Sequence, residues 1–228
     1  MKIAIFGATG TVGSALLAQA LDAGHEVRVL ARTPSKVSRT DPGLTVLSGD
    51  AKDPRAVRST VAEQDAVLST LGGFSDPDSI RIGTTAIMSA MRDAGIRRLV
   101  VMQGFHLDFP GDPQNLGRKT ILPLLWLGSR DLVPDSRAMA KAVRASDLDW
   151  TVVRAPRVVV GGRTAQYRTG SLKLGPCSSV TNADVAEFML VCLTDPTTLG
   201  TAPMVARGAR PRRDGELSAG PTLRNEGS

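Results

Sequence analysis

Residues 7–13 read GATGTVG and decide the fold of the chain. They follow the apolar run of residues 2–6 (KIAIF) and open a segment whose apolar side chains recur at helical spacing between Val12 and Leu21. In such a turn one glycine makes the tight bend, one lets a pyrophosphate approach the backbone, and the third lets the helix pack closely on the strand. The helix N-terminus adds unpaired N–H groups. The GxxGxxG pattern therefore predicts a dinucleotide-binding βαβ unit, with a purely structural glycine turn as the alternative.

Outward from this turn, short β-branched runs alternate with amphipathic segments. Compact runs of this kind are typical of strands buried on both faces. Strands that alternate with helices are joined by right-handed crossovers and therefore lie parallel. The sequence predicts an α/β fold, a Rossmann-type doubly wound parallel sheet in a single domain. The predicted strands are residues 2–6, 26–31, 44–47, 66–68, 98–102 and 150–154, and the predicted helices are residues 12–23, 54–62, 79–94 and 135–145.

Two long segments interrupt the alternation. Residues 103–134 are rich in proline and follow the fifth strand, at the edge of the sheet where ligands bind in this architecture. We expect them to form a substrate lid, with a packed surface connection as the alternative. Residues 156–180 are a second insertion and are expected to wall the same crevice. We assign residues 1–206 to a dinucleotide-binding domain with its substrate crevice and residues 207–228 to a disordered basic tail.

The composition narrows the range of partners. The chain of 228 residues is 42% hydrophobic and contains two cysteines, which excludes whole-chain disorder and a disulfide scaffold. No apolar run reaches the roughly 18–20 residues of a membrane-spanning helix, and the N-terminus shows no signal peptide, so we expect a cytoplasmic protein without a membrane partner. The net charge of +6 forms no dense basic helix, so no nucleic-acid partner is expected. We predict no metal site, and a monomer or a homodimer.

The residues after the second and third strands indicate which dinucleotide binds. An acidic side chain after the second strand holds the ribose of NAD, whereas an arginine accommodates a 2′-phosphate. Arg32 stands at this position, Lys36 follows it, and no carboxylate occurs before Asp41. A guanidinium binds phosphate through two parallel hydrogen bonds and a lysine adds a point charge, so the sequence predicts NADPH/NADP+. Asp50, after the third strand, either accepts a hydrogen bond from adenine or caps the following turn.

An ordered series of motifs runs along most of the chain. Its members are residues 7–13, Arg32 with Lys36, Gly49 with Asp50, and residues 65–72 (DAVLSTLG), 91–96 (MRDAGI), 141–156 (KAVRASDLDWTVVRAP) and 181–186 (TNADVA). The series resembles the atypical short-chain dehydrogenase/reductase superfamily, in the branch that contains NmrA-like proteins and biliverdin-IXβ reductase, also called flavin reductase. The resemblance implies a single-domain NADPH-binding reductase that passes hydride to flavins, quinones or tetrapyrroles.

The resemblance also assigns the parts of the cofactor. It places pyrophosphate on the glycine-rich turn, adenine after the third strand, ribose after the fourth strand, and nicotinamide after the fifth and sixth strands. The predicted cofactor-binding residues are Gly7, Thr9, Gly10, Thr11, Val12, Gly13, Arg32, Lys36, Gly49, Asp50, Ala51, Leu71, Gly72, Gly73, Gln103, Gly104, Pro156 and Arg157.

The chain departs from the superfamily at the catalytic positions. Conventional members use a Tyr-x-x-x-Lys pair, but the single tyrosine, Tyr167, is followed four residues later by Ser171. Lys141 has the place of the lysine, and Arg137 stands where the tyrosine belongs. We therefore expect the tyrosine mechanism to be absent.

A second departure lies after the fifth strand. The branch has a Ser/Thr pair there, and this chain has Gly104, so that Gln103 offers its amide instead. His106 is the only nearby side chain that titrates near neutrality. It is either a general acid or a lid residue at the surface or packed on Phe105. The predicted catalytic residues are His106, Gln103 and Lys141.

These features predict an NADPH-dependent oxidoreductase. Its acceptor would be small, planar and mostly apolar, such as a quinone, a flavin or an aromatic, polyketide-like carbonyl compound. The first alternative is a redox-inactive NADP(H)-binding sensor of NmrA type, which Gly104 and the missing tyrosine permit. The second is a redox-neutral isomerase or cyclase that keeps the cofactor as a scaffold.

Overall fold

The strands in the described part of the chain form one large sheet and one small sheet. The computed structural model describes residues 1–72, 79–113 and 130–208. The strands in these ranges are β1 (Lys2–Phe6), β2 (Glu26–Ala31), β3 (Leu44–Ser48), β4 (Ala66–Ser69), β5 (Arg98–Gly104), β6 (Asp149–Ala155), β7 (Arg157–Val159), β8 (Tyr167–Gly170), β9 (Ser179–Thr181) and β10 (Met204–Arg207). The α-helices are α1 (Thr11–Asp22), α2 (Pro54–Val61), α3 (Thr84–Asp93), α4 (Leu132–Arg144) and α5 (Asn182–Thr194).

The large sheet has the order β3-β2-β1-β4-β5-β6-β10-β8. All of its neighbours are parallel except β10 and β8. The chain runs outward from β1 to β3 and then returns to add β4 on the other side of β1. The order therefore reverses between β1 and β4, and a crevice opens there at the carboxyl ends of the strands. The predicted doubly wound α/β fold is confirmed, in a single domain.

Helices cover both faces of the sheet. On one face α1 and α5 bury residues such as Leu16 and Met189 against the sheet. On the other face α2, α3 and α4 bury residues such as Val57, Ile87 and Met139. Because both faces are covered, the central strands are apolar on both sides, which explains their nearly continuous hydrophobic runs.

The structure corrects several sequence expectations. The predicted helix at residues 79–94 begins with a π-helical turn over Ser79–Gly83, and the predicted helix at residues 135–145 begins earlier, at Leu132. Pro134 falls in the first turn of α4, where its missing N–H has no intrahelical partner to lose. The second insertion contains β7 and β8, and β8 is an antiparallel edge strand, so the sheet is not wholly parallel.

Parts of two expectations fall outside the described residues. The predicted lid includes residues 114–129, and the predicted tail includes residues 209–228, neither of which the structure describes. Within the described ranges, no helix has the length and apolar character needed to cross a membrane.

A buried ion pair fastens the segment after β5 to the sheet. The Arg154 side chain, in β6, is 2% exposed, and that of Asp112 is 4% exposed. The guanidinium donates two hydrogen bonds to the carboxylate, one of them 2.8 Å long. It also donates to the carbonyl oxygens of Leu107 and Ala202, at 2.9 and 2.8 Å. Loss of the carboxylate would leave a buried positive charge without its counter-ion.

We expect Asp112→Ala to lower the free energy of unfolding by about 3–5 kcal/mol, because it leaves Arg154 buried and unpaired. The measurement is urea denaturation at pH 7. The matched control is Asp22→Ala, which removes a carboxylate that is 61% exposed and paired with Arg39. An exposed pair contributes about 1 kcal/mol or less. If Asp112→Ala lowered the free energy of unfolding no more than the control, the Arg154–Asp112 pair would not stabilise the fold as a buried ion pair.

Candidate functional site

The glycine-rich turn lies at the carboxyl end of β1, where the strand order reverses. Gly7 has a φ of +83°, and a Cβ on it would lie 2.7 Å from Thr70 Oγ1, so this position requires glycine. A Cβ on Gly13 would lie 2.0 Å from the carbonyl oxygen of Gly7. The first turn of α1 therefore packs directly on the turn that precedes it. The Gly10 N–H donates to the same Gly7 oxygen over 3.0 Å and closes the bend.

The start of α1 is suited to an anion. Gly10 precedes the helix, no side chain caps it, and the first turn contains no acidic residue. The first N–H groups of a helix have no intrahelical acceptors, and the helix dipole favours negative charge at this end. Thr11, Val12 and Gly13, which were predicted to bind pyrophosphate, form this first turn. A phosphate group fits here without a compensating side chain.

A cavity of about 450 Å³, here called the polar cavity, extends from the glycine-rich turn past the ends of β2 and β3. Two exposed cationic residues, Arg32 and Lys36, stand in its wall together with Asp50. The structure thus brings the cations to the end of the cavity remote from α4. The predicted residues that line it are Gly7, Thr9, Gly10, Arg32, Lys36, Gly49, Asp50, Ala51, Leu71 and Gly72.

Asp50 forms the turn after β3. Its carboxylate accepts a hydrogen bond from the Lys52 N–H at 2.8 Å. The N-cap of α2 is Asp53, whose carboxylate accepts from the Arg55 N–H at 2.9 Å. The turn-forming role of Asp50 is therefore observed. Its contact with adenine remains a prediction that its place in the polar cavity permits.

A second cavity of about 380 Å³, here called the apolar cavity, lies on the other side of the glycine-rich turn. It shares Gly10, Thr70, Leu71 and Gly72 with the polar cavity, so the two form one continuous cleft. The apolar side chains in its wall belong to Val12, Leu71, Ile80, Met102, Leu132 and Val158. The two larger polar side chains in the wall are Gln103 and His106, and Gly104 lies between them.

His106 is buried and neutral at pH 7. The residue is 7% exposed, and its Nε2 atom has no hydrogen-bond partner among the described residues. Burial, and to a smaller extent the charge of Arg137, lower its pKa to about 4, because desolvation disfavours the cation. At neutral pH the side chain therefore has an uncharged imidazole and not the proton of a cationic general acid.

Three predicted residues that the structure describes do not line the cleft. Lys141 is exposed on α4 and lines neither cavity. Pro156 and Arg157 also line neither, and the adjacent Val158 does so instead. Successive side chains of a strand point to opposite faces, so Arg157 and Val158 diverge. Gly73 lies outside the described residues.

Tyr167 lies far from the cleft, on the edge strand β8. Its ring packs edge-on against Phe188 with 6.1 Å between ring centroids. Burial raises the pKa of its phenol to about 12. The tyrosine lines neither cavity, so in the described structure it does not supply a proton at the cleft.

The sequence did not predict the hydrogen bonds that Thr70 and Asn182 make at the site. The Thr70 hydroxyl lies 3.2 Å from the carbonyl oxygens of both Phe6 and Gly7 and holds the turn against β4. Asn182 accepts from the Gly161 N–H at 2.9 Å and donates to the Thr11 carbonyl oxygen at 3.0 Å. It thereby joins the start of α1 to the segment that contains β7. The position of Thr70 directly after β4 could have revealed it, whereas nothing local in the sequence indicates the long-range contact of Asn182.

A larger cavity, of about 740 Å³, lies next to the Arg154–Asp112 ion pair. It shares no lining residue with the cleft. Its wall includes Trp150 and Phe109, whose rings pack with 6.5 Å between centroids. We place the candidate site in the cleft, because the glycine-rich turn and the open start of α1 lie there. The described residues include no cluster of three His, Cys, Asp or Glu suited to a metal ion.

Residues 7–196 match the model of a protein family described as NAD(P)H-binding. The chain belongs to the NAD(P)H-binding family. This match covers the glycine-rich turn and every lining residue of the two cavities except Phe6, so the dinucleotide prediction is confirmed at the level of NAD(P)H. The family resemblance proposed from the motifs is confirmed as well, in its atypical short-chain dehydrogenase/reductase form.

Relatives of the family include several reductases. The chain is 28% identical over 201 residues to (4-alkanoyl-5-oxo-2,5-dihydrofuran-3-yl)methyl phosphate reductase of Streptomyces griseus. The aligned residues cover 84% of this chain and 63% of that protein. The chain is 31% identical over 118 residues to an isoflavone reductase homologue of Nicotiana glauca, covering 47% and 36% of the two chains. The chain thus spans less than two thirds of the length of these curated relatives.

Solved structures share the whole fold. A putative epimerase from Bacteroides thetaiotaomicron superimposes with a TM-score of 0.77 at 25% identity, over 92% of this chain and 98% of that one. An anaerobillin reductase from Escherichia coli O157:H7 superimposes with a TM-score of 0.74 at 18% identity, over 92% and 100%. At the latter identity the likeness concerns the fold alone.

The burial of His106 predicts a pH dependence of stability. The pKa of His106 is about 4 in the folded protein, below the ordinary value of 6.5. Between these values the unfolded chain binds a proton that the folded chain does not, so the free energy of unfolding falls as the pH drops through this window. Relative to His106→Gln, the wild type should lose about 2 kcal/mol between pH 7 and pH 4.5, measured by urea denaturation. If the free energies of unfolding of the two proteins changed in parallel with pH, the pKa of His106 would not be lowered by folding, which would contradict this prediction.

Proposed function

We propose that the protein is an NADPH-dependent reductase that transfers hydride to a small, planar, mostly apolar acceptor of quinone, flavin or aromatic carbonyl type. The observation that supports this most directly is the polarity of the cleft. Its polar cavity contains Arg32 and Lys36, and its apolar cavity contains mainly aliphatic side chains. A dinucleotide with a charged end and a flat, uncharged redox ring matches this gradient.

The residues of the chain have separate tasks in this proposal. Arg32 and Lys36 bind the 2′-phosphate, the glycine-rich turn and the start of α1 bind the pyrophosphate, and Asp50 with Ala51 flank adenine. Leu71 and Gly72 lie at the ribose where the two cavities join. When bound, the cofactor supplies a hydride from its nicotinamide ring. The wall around Gln103 and Gly104 orients that ring and the acceptor and excludes water from between them.

The proton that completes the reduction comes from solvent in this proposal. For a carbonyl acceptor, the hydride adds to carbon, the π electron pair moves to oxygen, and the oxygen takes a proton. Neither Lys141 nor Tyr167 lines the cleft, and His106 is uncharged at pH 7. The chain's main contribution is then to hold donor and acceptor in contact. The reductase name of the Streptomyces griseus relative agrees with a reductive reaction.

The experiment compares NADPH and NADH oxidation at 340 nm (the nicotinamide absorbance) with quinones, flavins, aryl aldehydes and aromatic ketones. We expect the wild type to prefer NADPH, and Arg32→Asp to raise the KM for NADPH about 10- to 100-fold, because a charge-assisted hydrogen bond to phosphate is replaced by repulsion. The KM for NADH should fall or stay unchanged, since a carboxylate accepts from a ribose hydroxyl.

The matched control is Arg92→Asp, at the last turn of α3 on the opposite edge of the sheet, which lines neither cavity. It makes the same charge change and should leave both KM values unchanged. Tight NADPH binding without turnover on any acceptor would contradict the reductase proposal and favour a redox-inactive sensor. Equal use of NADH and NADPH would contradict the assignment of Arg32.

A further inference from the structure

Helix α5 starts at residues 181–184, Thr-Asn-Ala-Asp, here called the TNAD turn. These residues belong to the motif series of the chain, yet none of them lines either cavity of the cleft. Thr181 caps the helix, since its Oγ1 accepts a hydrogen bond from the Asp184 N–H at 3.0 Å. The Asn182 side chain is therefore not needed for capping, and it contacts two other segments of the chain.

The TNAD turn fixes the segment that follows β7. The Asp184 carboxylate accepts hydrogen bonds from the N–H and the hydroxyl of Thr164, both at 2.7 Å, and from the Ala165 N–H at 3.1 Å. Ala165 has a φ of +52°, a conformation that a residue with a side chain keeps only when its surroundings hold it. The start of α5 thus holds the segment whose earlier residue Val158 lines the apolar cavity.

The side chain of Asn182 joins this segment to the phosphate end of the cleft. Its Oδ1 accepts from the Gly161 N–H at 2.9 Å, and its Nδ2 donates to the Thr11 carbonyl oxygen at 3.0 Å. Thr11 is the first residue of α1. A primary amide can accept from one backbone group while it donates to another. Because one partner is a donor and the other an acceptor, one orientation of the amide satisfies both.

This amide bridge lies between the two places that a dinucleotide needs. In the proposed binding mode the pyrophosphate lies at the start of α1, and the nicotinamide lies in the apolar cavity, whose wall includes Val158. A ligand that spans two sites binds more tightly when the protein already holds them at the matching separation. If the start of α1 moved relative to the segment after β7, each half of the ligand could still bind alone, but the whole ligand would bind less tightly.

We infer that Asn182 is a positioning residue for the dinucleotide. It acts through Thr11 and sets the separation between the phosphate site and the wall of the apolar cavity. The inference rests on the proposed binding mode and adds a residue outside the cleft to it. It does not depend on hydride transfer. Because Asn182 lines neither cavity, its effect depends on whether the ligand spans the amide bridge.

The test compares the Kd for NADPH with the Kd for adenosine 2′-monophosphate, both from calorimetry. In the proposed binding mode the second ligand occupies only the polar cavity and does not span the bridge. We expect Asn182→Ala to raise the Kd for NADPH about 3- to 10-fold, the size of one hydrogen bond. The Kd for adenosine 2′-monophosphate should not change. Asn182→Ser is too short to bridge Thr11 and Gly161 and should give the same result.

The matched control is Gln19→Ala. Gln19 Nε2 donates to the Ala183 carbonyl oxygen at 2.9 Å, so this variant also removes an amide hydrogen bond between α1 and α5. Gln19 lies about 12 Å along α1 from Thr11, and its loss should leave both Kd values unchanged. Thermal unfolding reports whether each variant folds, and Asn182→Ser replaces Asn182→Ala if the latter does not.

Three outcomes would overturn the inference. The first is an unchanged Kd for NADPH in the folded Asn182 variants. The second is an equal rise in the Kd for both ligands, or the same rise for NADPH in Gln19→Ala, since either would indicate a general effect of packing. The third is a wild type that binds NADPH no more tightly than adenosine 2′-monophosphate, in which case the proposed binding mode fails as well. None of these measurements requires turnover, so a failure of the reductase proposal on every acceptor would leave their result intact.

Discussion

The contact between the start of α1 and the turn after β1 is the constraint on which the cleft depends. The backbone of Gly13 approaches the carbonyl oxygen of Gly7 so closely that a Cβ would lie 2.0 Å from it. This approach directs the N-terminus of α1 at the crevice between β1 and β4. Thr70 holds the other side of the same turn through its hydroxyl. A methyl group at position 13 would displace α1 from the turn after β1. The unpaired N–H groups at the start of α1, which lie between the two cavities, would move with it.

Two kinds of surface meet at this turn, and each follows from the fold. The polar cavity is formed by the ends of β2 and β3, where loops at the sheet edge are free to present charged residues such as Arg32. The apolar cavity is formed by side chains near the ends of β4 and β5 and the start of α4, among them Met102 and Leu132. The reversal of the strand order places both on the same edge. In the proposed binding mode a single dinucleotide spans both cavities, with its central phosphates at the turn between them.

Local patterns were sufficient to predict most residues that line the polar cavity. The GATGTVG turn, Arg32 and the residues after β3 and β4 follow directly after strands whose bounds the apolar runs gave to within one residue. The lining of the apolar cavity depends on long-range packing. That Val158 rather than Arg157 faces the cavity depends on the phase of β7, a strand the sequence did not predict.

Gly104 illustrates the same limit at a single residue. In the sequence, Gly104 stands where the related branch has a hydroxyl side chain. In the structure, the space of its absent side chain is filled by the ring of His106, two residues later. No spacing rule relates these residues, because the turn after β5 brings the ring back over the strand. Asn182 likewise contacts Thr11 across 171 positions of the chain. The sequence predicts groups whose place follows from the strand they directly adjoin, and it does not predict contacts that depend on the packing of another side chain.

The central claim is that the cleft holds NADPH so that its hydride reaches a carbonyl compound in the apolar cavity. Deuterium transfer tests it most directly: the protein is incubated with NADPH deuterated at the transferring position of the ring and with a neutral carbonyl acceptor, and the alcohol or hydroquinone product is examined by mass spectrometry and NMR. Ketone and aldehyde acceptors should give a product with one deuterium on the former carbonyl carbon. An alcohol formed from a ketone or aldehyde without deuterium on that carbon, or bound NADPH that stays reduced with every acceptor, would contradict the account.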